Sequence, residues 1–184
     1  MGTLNFAGGA SLSGSGSNLQ STSGLDFGGS WVDAPPGTII QTVYSQSNMS
    51  SRIQTNSSTP TEIHSQIRTS ITLKKSTSKV LITYTVGWRQ DGAGGYAYIL
   101  PQVSTDGGSN FSIFTDYTGA NANEMLRNSP NDTYTFDTNS LSFVDWNTTA
   151  TTRMYSIFVR VGSGTIFIGD NQPRTNLILH EIAQ

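Results

Sequence analysis

The sequence predicts an all-β protein, an antiparallel β-sandwich of the jelly-roll type that follows an extended N-terminal segment. Three observations favour this class. Apolar residues alternate with small or polar residues through most of the chain after residue 37, which is typical of strands with one buried face. Short clusters of Gly, Asp and Asn separate these stretches. Charged residues make up only 12% of the 184 residues, so the Glu and Lys of solvent-facing helices are scarce.

Residues 1–36 form a segment that is dominated by Gly and Ser and ends at Pro35-Pro36. Such a segment cannot bury enough apolar surface alone to offset its ordering entropy. It is either a flexible linker or an attachment segment that folds against a partner. Large apolar residues spaced along it favour attachment, because a linker has no use for them. The predicted anchors are Leu4, Phe6, Leu12, Leu19, Leu25, Phe27 and Trp31.

Residues 37–184 form the predicted β domain. The clearest strand is Ser78–Trp88, where every second residue from Val80 to Trp88 is large and apolar. The predicted strands are Thr38–Tyr44, Ile67–Leu73, Ser78–Trp88, Tyr96–Val103, Asn110–Thr115, Thr133–Phe136, Ser140–Trp146, Arg153–Val161, Thr165–Ile168 and Thr175–Ile182.

Glycine-rich punctuation predicts how these strands connect. Asp91–Gly95, Asp106–Gly108 and Gly162–Gly164 supply the positive φ values of tight hairpins, and Gly169–Pro173 precedes the last strand. Gly119–Arg127 alone has helical character. No repeat of fixed period is evident, which disfavours propellers and solenoids.

Composition excludes several classes of function. A net charge of −2 gives no electrostatic footprint for nucleic acid, and we expect no such partner. The absence of cysteine excludes disulfides, thiolate zinc sites and cysteine nucleophiles. No apolar run is long enough to cross a bilayer, and the first residues do not read as a secretory signal, so no membrane insertion is expected.

Residues that could carry catalysis are few, and we expect neither an enzyme nor a bound cofactor or metal. His64 and His180 lie in strand-like stretches without the spacing of a metal motif. Asp116, Asp137 and Asp145 flank aromatic residues, as at surfaces that stack on sugar rings, although aromatic packing in the core explains them more simply.

Several stretches resemble a module of structural proteins in marine bacteriophages, notably cyanophages. The resemblance covers residues 36–184, and its most specific part is the ending Glu181-Ile182-Ala183. The stretches that carry it are Pro36–Val43, Ser65–Leu73, Ser76–Tyr84, Tyr155–Val161, Gly164–Ile168 and Thr175–Gln184.

The resemblance implies a virion fibre or decoration protein at the particle surface. Its tip would be a trimer of jelly rolls, similar to adenovirus-type fibre heads and the tumour-necrosis-factor class. No shaft precedes the β domain, which favours a head fibre, capsid decoration protein or short tail fibre. Residues 1–36 would then dock on a capsid, collar or tail component. Residues 90–131, the variable middle of the family, match no receptor motif.

Trimerisation has a rationale in two strands that are apolar on both alternations, Arg153–Val161 and Leu177–Ile182. Their excess apolar surface could be buried at a three-fold axis. Burial of both faces between sheets of one chain explains the pattern equally well. The predicted interface residues are Tyr155, Ile157, Val159, Leu177 and Leu179.

A carbohydrate-binding β-sandwich is the alternative function, with host-surface glycan as a candidate partner. Its predicted contact residues are Tyr96, Asp116 and Tyr117, in or near the loops after residue 90. An endoglycosidase is the least favoured reading, because few acids lie outside turns.

Overall fold

The computed structural model describes residues 2–5, 11–14, 34–47, 53–113, 127–128, 134–146, 152–168 and 175–184. These residues form antiparallel β-structure with one turn of 3-10 helix, Ser65–Ile67. No helix in these ranges is long and apolar enough to cross a membrane. The strands are β1 Gly2–Asn5, β2 Ser11–Gly14, β3 Ile39–Ser47, β4 Ile53–Thr55, β5 Thr61–Glu62, β6 Thr69–Thr72, β7 Lys79–Ser104, β8 Arg127–Asn128, β9 Tyr134–Asp145, β10 Thr152–Ile168 and β11 Thr175–Ile182.

The sheet of β3 to β11 folds over into two layers. The first layer has the order β3-β11-β7-β9 and uses the first half of β7. The second layer joins β5 and β6 to β10, and joins β10 and β8 to the second half of β7. Side chains from both halves of β7 belong to one core cluster, so the two layers face each other. This two-layer antiparallel arrangement confirms the predicted jelly-roll class.

The two long strands β7 and β10 cross between the layers together. They pair from Met154 opposite Ser104 to Ile168 opposite Trp88, with irregular register between Val161 and Thr165. The prediction of tight hairpins at Asp91–Gly95 and Gly162–Gly164 was therefore wrong. Glycine permits a bulge as readily as a turn, and the choice depends on a partner strand far away in the sequence.

Other predicted elements have mixed outcomes. Thr175–Ile182 is a strand with the predicted bounds. Of the predicted strands Thr133–Phe136 and Ser140–Trp146, residues 134–136 and 140–145 lie in the single strand β9. Asn110–Thr115 contributes one bridge, between Ser112 and Val103, in its described part. The helical prediction for Gly119–Arg127 lies outside the described residues except at Arg127, which begins β8.

The core fills the space between the layers with the residues that the alternation predicts to point inward. From β7, every second residue between Val80 and Trp88 is at most 2% exposed. Ile157 and Val159 of β10 meet them from the other layer and are fully buried. Full burial of each such side chain contributes about 1.5 to 3 kcal/mol, so this strand pattern supplies much of the driving force for the fold.

The ends of the β domain are distinct, and we call them the root and the tip. At the root, Gly37 N donates to Ala183 O and Ala183 N donates to Thr38 O, both at 2.9 Å. The chain thus enters the domain beside its last residues. The tip is the opposite end of the strands, where residues 91–96 and 161–165 cross between the layers. Thirteen residues of β7 separate the two ends, roughly 40 Å of extended chain.

A buried carboxylate fixes the root. Glu181 is 0% exposed. Its oxygens accept hydrogen bonds from the backbone N–H groups of Lys74 and Lys75 at 2.8 and 3.0 Å, and from the side-chain amide of Gln41 at 2.6 Å. These bonds compensate for the loss of water around the charge. Glu181 therefore ties β11 to β3 and to the turn between β6 and β7.

Replacement of Glu181 by Ala is expected to lower the free energy of unfolding by about 2 to 4 kcal/mol, because it leaves buried donors without an acceptor. Urea denaturation at constant m-value measures the loss. The matched control is Thr83→Ala on the same sheet, which removes one exposed hydroxyl contact with Ser142 and should cost less than about 1 kcal/mol. Equal losses in the two variants would contradict the role of the carboxylate.

Candidate functional site

The outer face of the first layer is a surface that the other described strands do not cover. Leu177 and Leu179 of β11 point inward and are fully buried, so Ile178, His180 and Ile182 point outward, where they are half-buried. Neighbouring strands continue these positions in rows across the sheet. The rows are Gln46, Asn176, Thr85 and Ser140; Tyr44, Ile178, Thr83 and Ser142; and Thr42, His180, Leu81 and Val144.

This outer face is apolar toward the root and hydroxyl-rich toward the tip. Tyr44 is 74% exposed, and at the root end Ile39 and Trp146 are 54% and 56% exposed. Toward the tip, side-chain hydroxyl groups bridge neighbouring strands. The hydroxyl oxygens of Thr83 and Ser142, for example, are 2.7 Å apart. A face of this kind can be covered by another surface at little cost in desolvation of charge.

Among the side chains that the structure describes, the permanently charged groups of this face lie at its two ends. Lys79 lies at the root end, where its Nζ donates to Trp146 O at 2.7 Å and lies 5.9 Å from the centre of the Trp146 ring. Arg89 lies at the tip end, where its guanidinium stacks 4.3 Å from the centre of the Phe167 ring. Both cations therefore already have aromatic partners.

A second distinct surface is the loop from Ser104 to Ser112 beside the second layer. The Asp106 carboxylate accepts hydrogen bonds from the Ser104 hydroxyl at 2.6 Å, from Asn110 N at 2.9 Å and from Ser109 N at 3.1 Å. The bonds from Ser104 and Asn110 hold the pKa of the Asp106 carboxyl well below its ordinary value. Asp106 is thus committed to shaping its own loop.

An ion pair fastens this loop to the sheet. The Arg68 guanidinium donates to both carboxylate oxygens of Glu62 at 2.8 Å and to Gly108 O at 3.3 Å. It also lies 5.0 Å from the centre of the Phe111 ring, which packs on Phe158 at 5.3 Å. The loop is therefore held in one conformation by contacts from β5, β10 and the residue after the 3-10 turn.

The pKa of Glu62 reflects opposing influences. Partial burial would raise the pKa of Glu62, but hydrogen bonds from Arg68 and Ser156, together with the positive charge of Arg68, outweigh burial and lower it. The Ser156 hydroxyl donates to Glu62 at 2.6 Å. The carboxylate is consequently ionised and structurally engaged near neutral pH.

Asp145 was one of the acids considered for sugar contact, and the structure turns it inward. Its carboxylate is paired with Arg153 and accepts a hydrogen bond from the Tyr155 hydroxyl at 2.8 Å, and all three side chains are at most 3% exposed. Burial, with the nearby Asp145 charge, raises the pKa of Tyr155. This buried network links β9 to β10 and leaves no acidic oxygen for a ligand.

The two histidines have separate local roles. His64 Nδ1 accepts a hydrogen bond from Gln66 N at 3.0 Å and so caps the 3-10 turn. His180 Nδ1 lies 2.9 Å from the Thr42 hydroxyl on the outer face of the first layer. Within the part of the chain that the structure describes, no group of three His, Asp or Glu side chains could hold a metal ion.

The five residues predicted at a trimer interface lie in the core of a single chain, and their assignment is corrected here. Tyr155, Ile157, Val159, Leu177 and Leu179 are at most 1% exposed. They have no area left to bury against a second chain. Large apolar residues occupy both alternation phases of these two strands because the outward side chains are also partly buried. Burial within one chain, the alternative to a trimer interface, therefore explains these five residues.

The predicted attachment and glycan-contact residues fall largely outside the described ranges. Leu4 and Leu12 lie directly opposite each other in the β1–β2 hairpin, and the backbone of Tyr96 lies opposite Ser163 at the tip. The predicted residues outside the described ranges are Phe6, Leu19, Leu25, Phe27, Trp31, Asp116 and Tyr117.

Sequence reasoning missed the residues of the outer face. Ile178 and His180 belong to the same strand as Leu177 and Leu179 of the predicted interface but to the opposite alternation phase. The signal was present in the Tyr44, Ile178 and Leu81 positions, which are apolar where an exposed face would normally be polar. Their common location becomes evident only once the register of β3, β11 and β7 is known.

Comparisons with known proteins identify no family for the chain. No family model matches it, and no curated protein matches it. Among solved structures, the fold is similar to Eiger TNF from S. frugiperda, with a TM-score of 0.41 and 11% sequence identity. The match covers 82% of this chain and 95% of that one.

The Glu62–Arg68 pair predicts a specific loss of stability in acid. Because the pKa of Glu62 is lower in the folded state than its ordinary value of 4.5, its contribution is complete above that value and is lost as pH falls through the folded value. The difference in unfolding free energy between wild type and Glu62→Gln should therefore be large at pH 6 and shrink toward pH 3. Urea titrations at each pH measure it. Thr61→Ser should follow the wild-type profile, and a difference that stays constant with pH would contradict the prediction.

Proposed function

We propose that the protein is a non-enzymatic structural protein of a bacteriophage virion, a head fibre, capsid decoration protein or short tail fibre. In this proposal, residues 1–36 anchor it to the particle and the β domain is displayed as a homotrimeric knob with a role in attachment to the host surface. The observation that carries the proposal is the opposition of root and tip: Gly37 enters the domain at the root, and the crossing at residues 91–96 lies at the other end of the strands.

That opposition suits a protein that is held at one end and presented at the other. The root carries exposed Ile39 and Trp146 beside the entering chain, so a docking partner would meet apolar surface there. The two crossings at the tip are rich in glycine.

The N-terminal segment has features that support anchoring. The hairpin of β1 and β2 is a separate two-stranded sheet, and such a hairpin is marginally stable in water without a further surface to pack on. The segment also contains two similar blocks, Leu4-Asn5-Phe6 and Leu25-Asp26-Phe27, each followed by small residues. Two blocks of the same type fit attachment through two equivalent contacts, which strengthens binding without a large interface.

The outer face of the first layer supports self-association. It is neutral through its middle rows and includes Tyr44, which is 74% exposed. Closed symmetric oligomers bury such patches on every copy. This face replaces the core residues first considered as the surface through which copies meet.

Membership in a virion is supported by the sequence resemblance to phage structural proteins. The most specific part of that resemblance is Glu181-Ile182-Ala183, and in this fold Glu181 and Ala183 secure the root. A motif with that role accords with a shared fold architecture. It carries no catalytic group that faces solvent, because Glu181 is fully buried.

Self-association is expected to give a solution mass of three times 19.8 kDa for the wild-type protein at neutral pH. Tyr44→Asp, which would place a charge in the covered face, should raise the dissociation constant by at least about tenfold. Sedimentation equilibrium measures both. Ser70→Asp, an exposed position on β6 in the second layer, is the matched control and should keep the wild-type mass. A monomeric wild type at micromolar concentration would contradict the proposed knob.

Anchoring to a particle is tested by electron microscopy of virions labelled with an antibody to the β domain. We expect label on the particle surface, and its loss when both Leu-x-Phe blocks are changed to Ser at positions 4, 6, 25 and 27. The control is Ser21→Thr with Ser23→Thr, which leaves the apolar residues in place and should retain the label. Absence of label from wild-type particles, or full retention in the block variant, would count against attachment through this segment.

A further inference from the structure

We propose that Met154 is an oxidation site, and that its conversion to the sulfoxide by a peroxide releases the loop from Ser104 to Ser112 from the second layer. This modification is independent of the proposed function. Met154 lies on β10, opposite Ser70 of β6 and Ser104 of β7, and its side chain is half-buried. Of the four methionines in the sequence, it is the one that lies in the described ranges.

The sulfur of Met154 packs against the backbone of Gly108. A Cβ atom added to Gly108 would lie 2.7 Å from Met154 Sδ and 3.6 Å from its Cε. The φ of Gly108 is +88°, so glycine is required both by the backbone conformation and by the space that the thioether occupies. The thioether therefore fills the place where any other residue would carry its side chain.

Gly108 is also the point at which hydrogen bonds fasten the loop. Its N–H donates to the Ser104 hydroxyl oxygen at 2.9 Å, and its carbonyl oxygen accepts from Arg68 Nη1 at 3.3 Å. The same Nη1 atom lies 3.1 Å from the Cβ position of Gly108, so the guanidinium and the Met154 sulfur approach Gly108 from the same side. A change in the polarity of the sulfur therefore acts on the contacts that hold the loop.

The chemistry requires a peroxide as the oxidant. A lone pair on Met154 Sδ forms a bond to one peroxide oxygen, the O–O bond breaks, and with hydrogen peroxide the other oxygen leaves as water. The sulfur is oxidised and the peroxide is reduced. Because the side chain is half-buried, a small oxidant in solvent can reach it. The product is polar, whereas the thioether is apolar and packs like a hydrocarbon.

The sulfoxide is expected to undo the contact with Gly108. Its added oxygen needs room beside an atom that is already closely packed, and it competes with the Gly108 carbonyl oxygen for Arg68 Nη1. The hydrogen bonds that Asp106 accepts from Ser109 N and Asn110 N lie within the loop and are not affected. The loop should therefore separate from the sheet as a local event, without unfolding of the domain.

The test treats the whole chain with hydrogen peroxide and measures amide hydrogen exchange by NMR. We expect the peptide that contains Met154 to gain the mass of one oxygen atom. The amides of Gly108 and Ser112, which are bonded to Ser104 and Val103, should then exchange on the order of tenfold faster. The amide of Leu179 in the first layer should keep its rate. Methionine sulfoxide reductases for both epimers should restore slow exchange in the loop.

Variants separate Met154 from the other methionines. Met154→Leu keeps the apolar volume without the oxidisable sulfur, so its loop amides should exchange at the same rate before and after peroxide. Met125→Leu leaves Met154 in place, is the matched control and should respond like the wild type. The proposal is wrong if Met154 stays unoxidised while other methionines react, or if it is oxidised and the loop amides keep their rates. Equal acceleration at Leu179 would show general unfolding and would also contradict it.

Discussion

The fold depends on the pairing of β7 with β10, which continues while both strands cross from one layer to the other. Because the two strands turn together, alternate residues on both halves of each face the same interior. Ile82 and Ile99 of β7 and Ile157 and Ile166 of β10 are at most 2% exposed in one cluster. The short strands attach to the edges of this ribbon. The crossing also forms the tip. The hydrogen bonds between Gly37 and Ala183 lie at the opposite end, the root.

Buried polar groups fix the positions that apolar packing alone would leave free. Glu181 holds the turn before β7 through backbone N–H groups, and Asp145 holds Arg153 across the β9–β10 side of the core. A buried carboxylate allows few other arrangements of the groups around it, because each unpaired donor or charge is costly in a low-dielectric interior. Of the three acids considered for sugar contact, Asp145 is thus engaged in the core, whereas Asp116 and the side chain of Asp137 lie outside the described part of the chain.

The loop from Ser104 to Ser112 and the outer face of the first layer differ in their physical character. The loop around Asp106 is fastened by Arg68 and by its own hydrogen bonds, so its polar groups are already satisfied. The outer face of the first layer has the opposite character, since Tyr44 exposes apolar area that the described part of the chain leaves uncovered. A rigid polar loop and an exposed neutral face suit the proposed display and self-association, respectively.

The sequence by itself determined the β class, the inward residues of strands such as Ser78–Trp88, and the last strand with its bounds, because alternation is a local property of the backbone. Tertiary structure alone decided whether Asp91–Gly95 is a hairpin or a crossing, since that depends on pairing with residues of β10 that lie about seventy positions away in the sequence. It also decided that Tyr155 and Leu177 are core residues and that Ile178 and His180 lie outside. Both phases of these strands carry large side chains, and only the register with β3 and β7 selects which phase faces the interior.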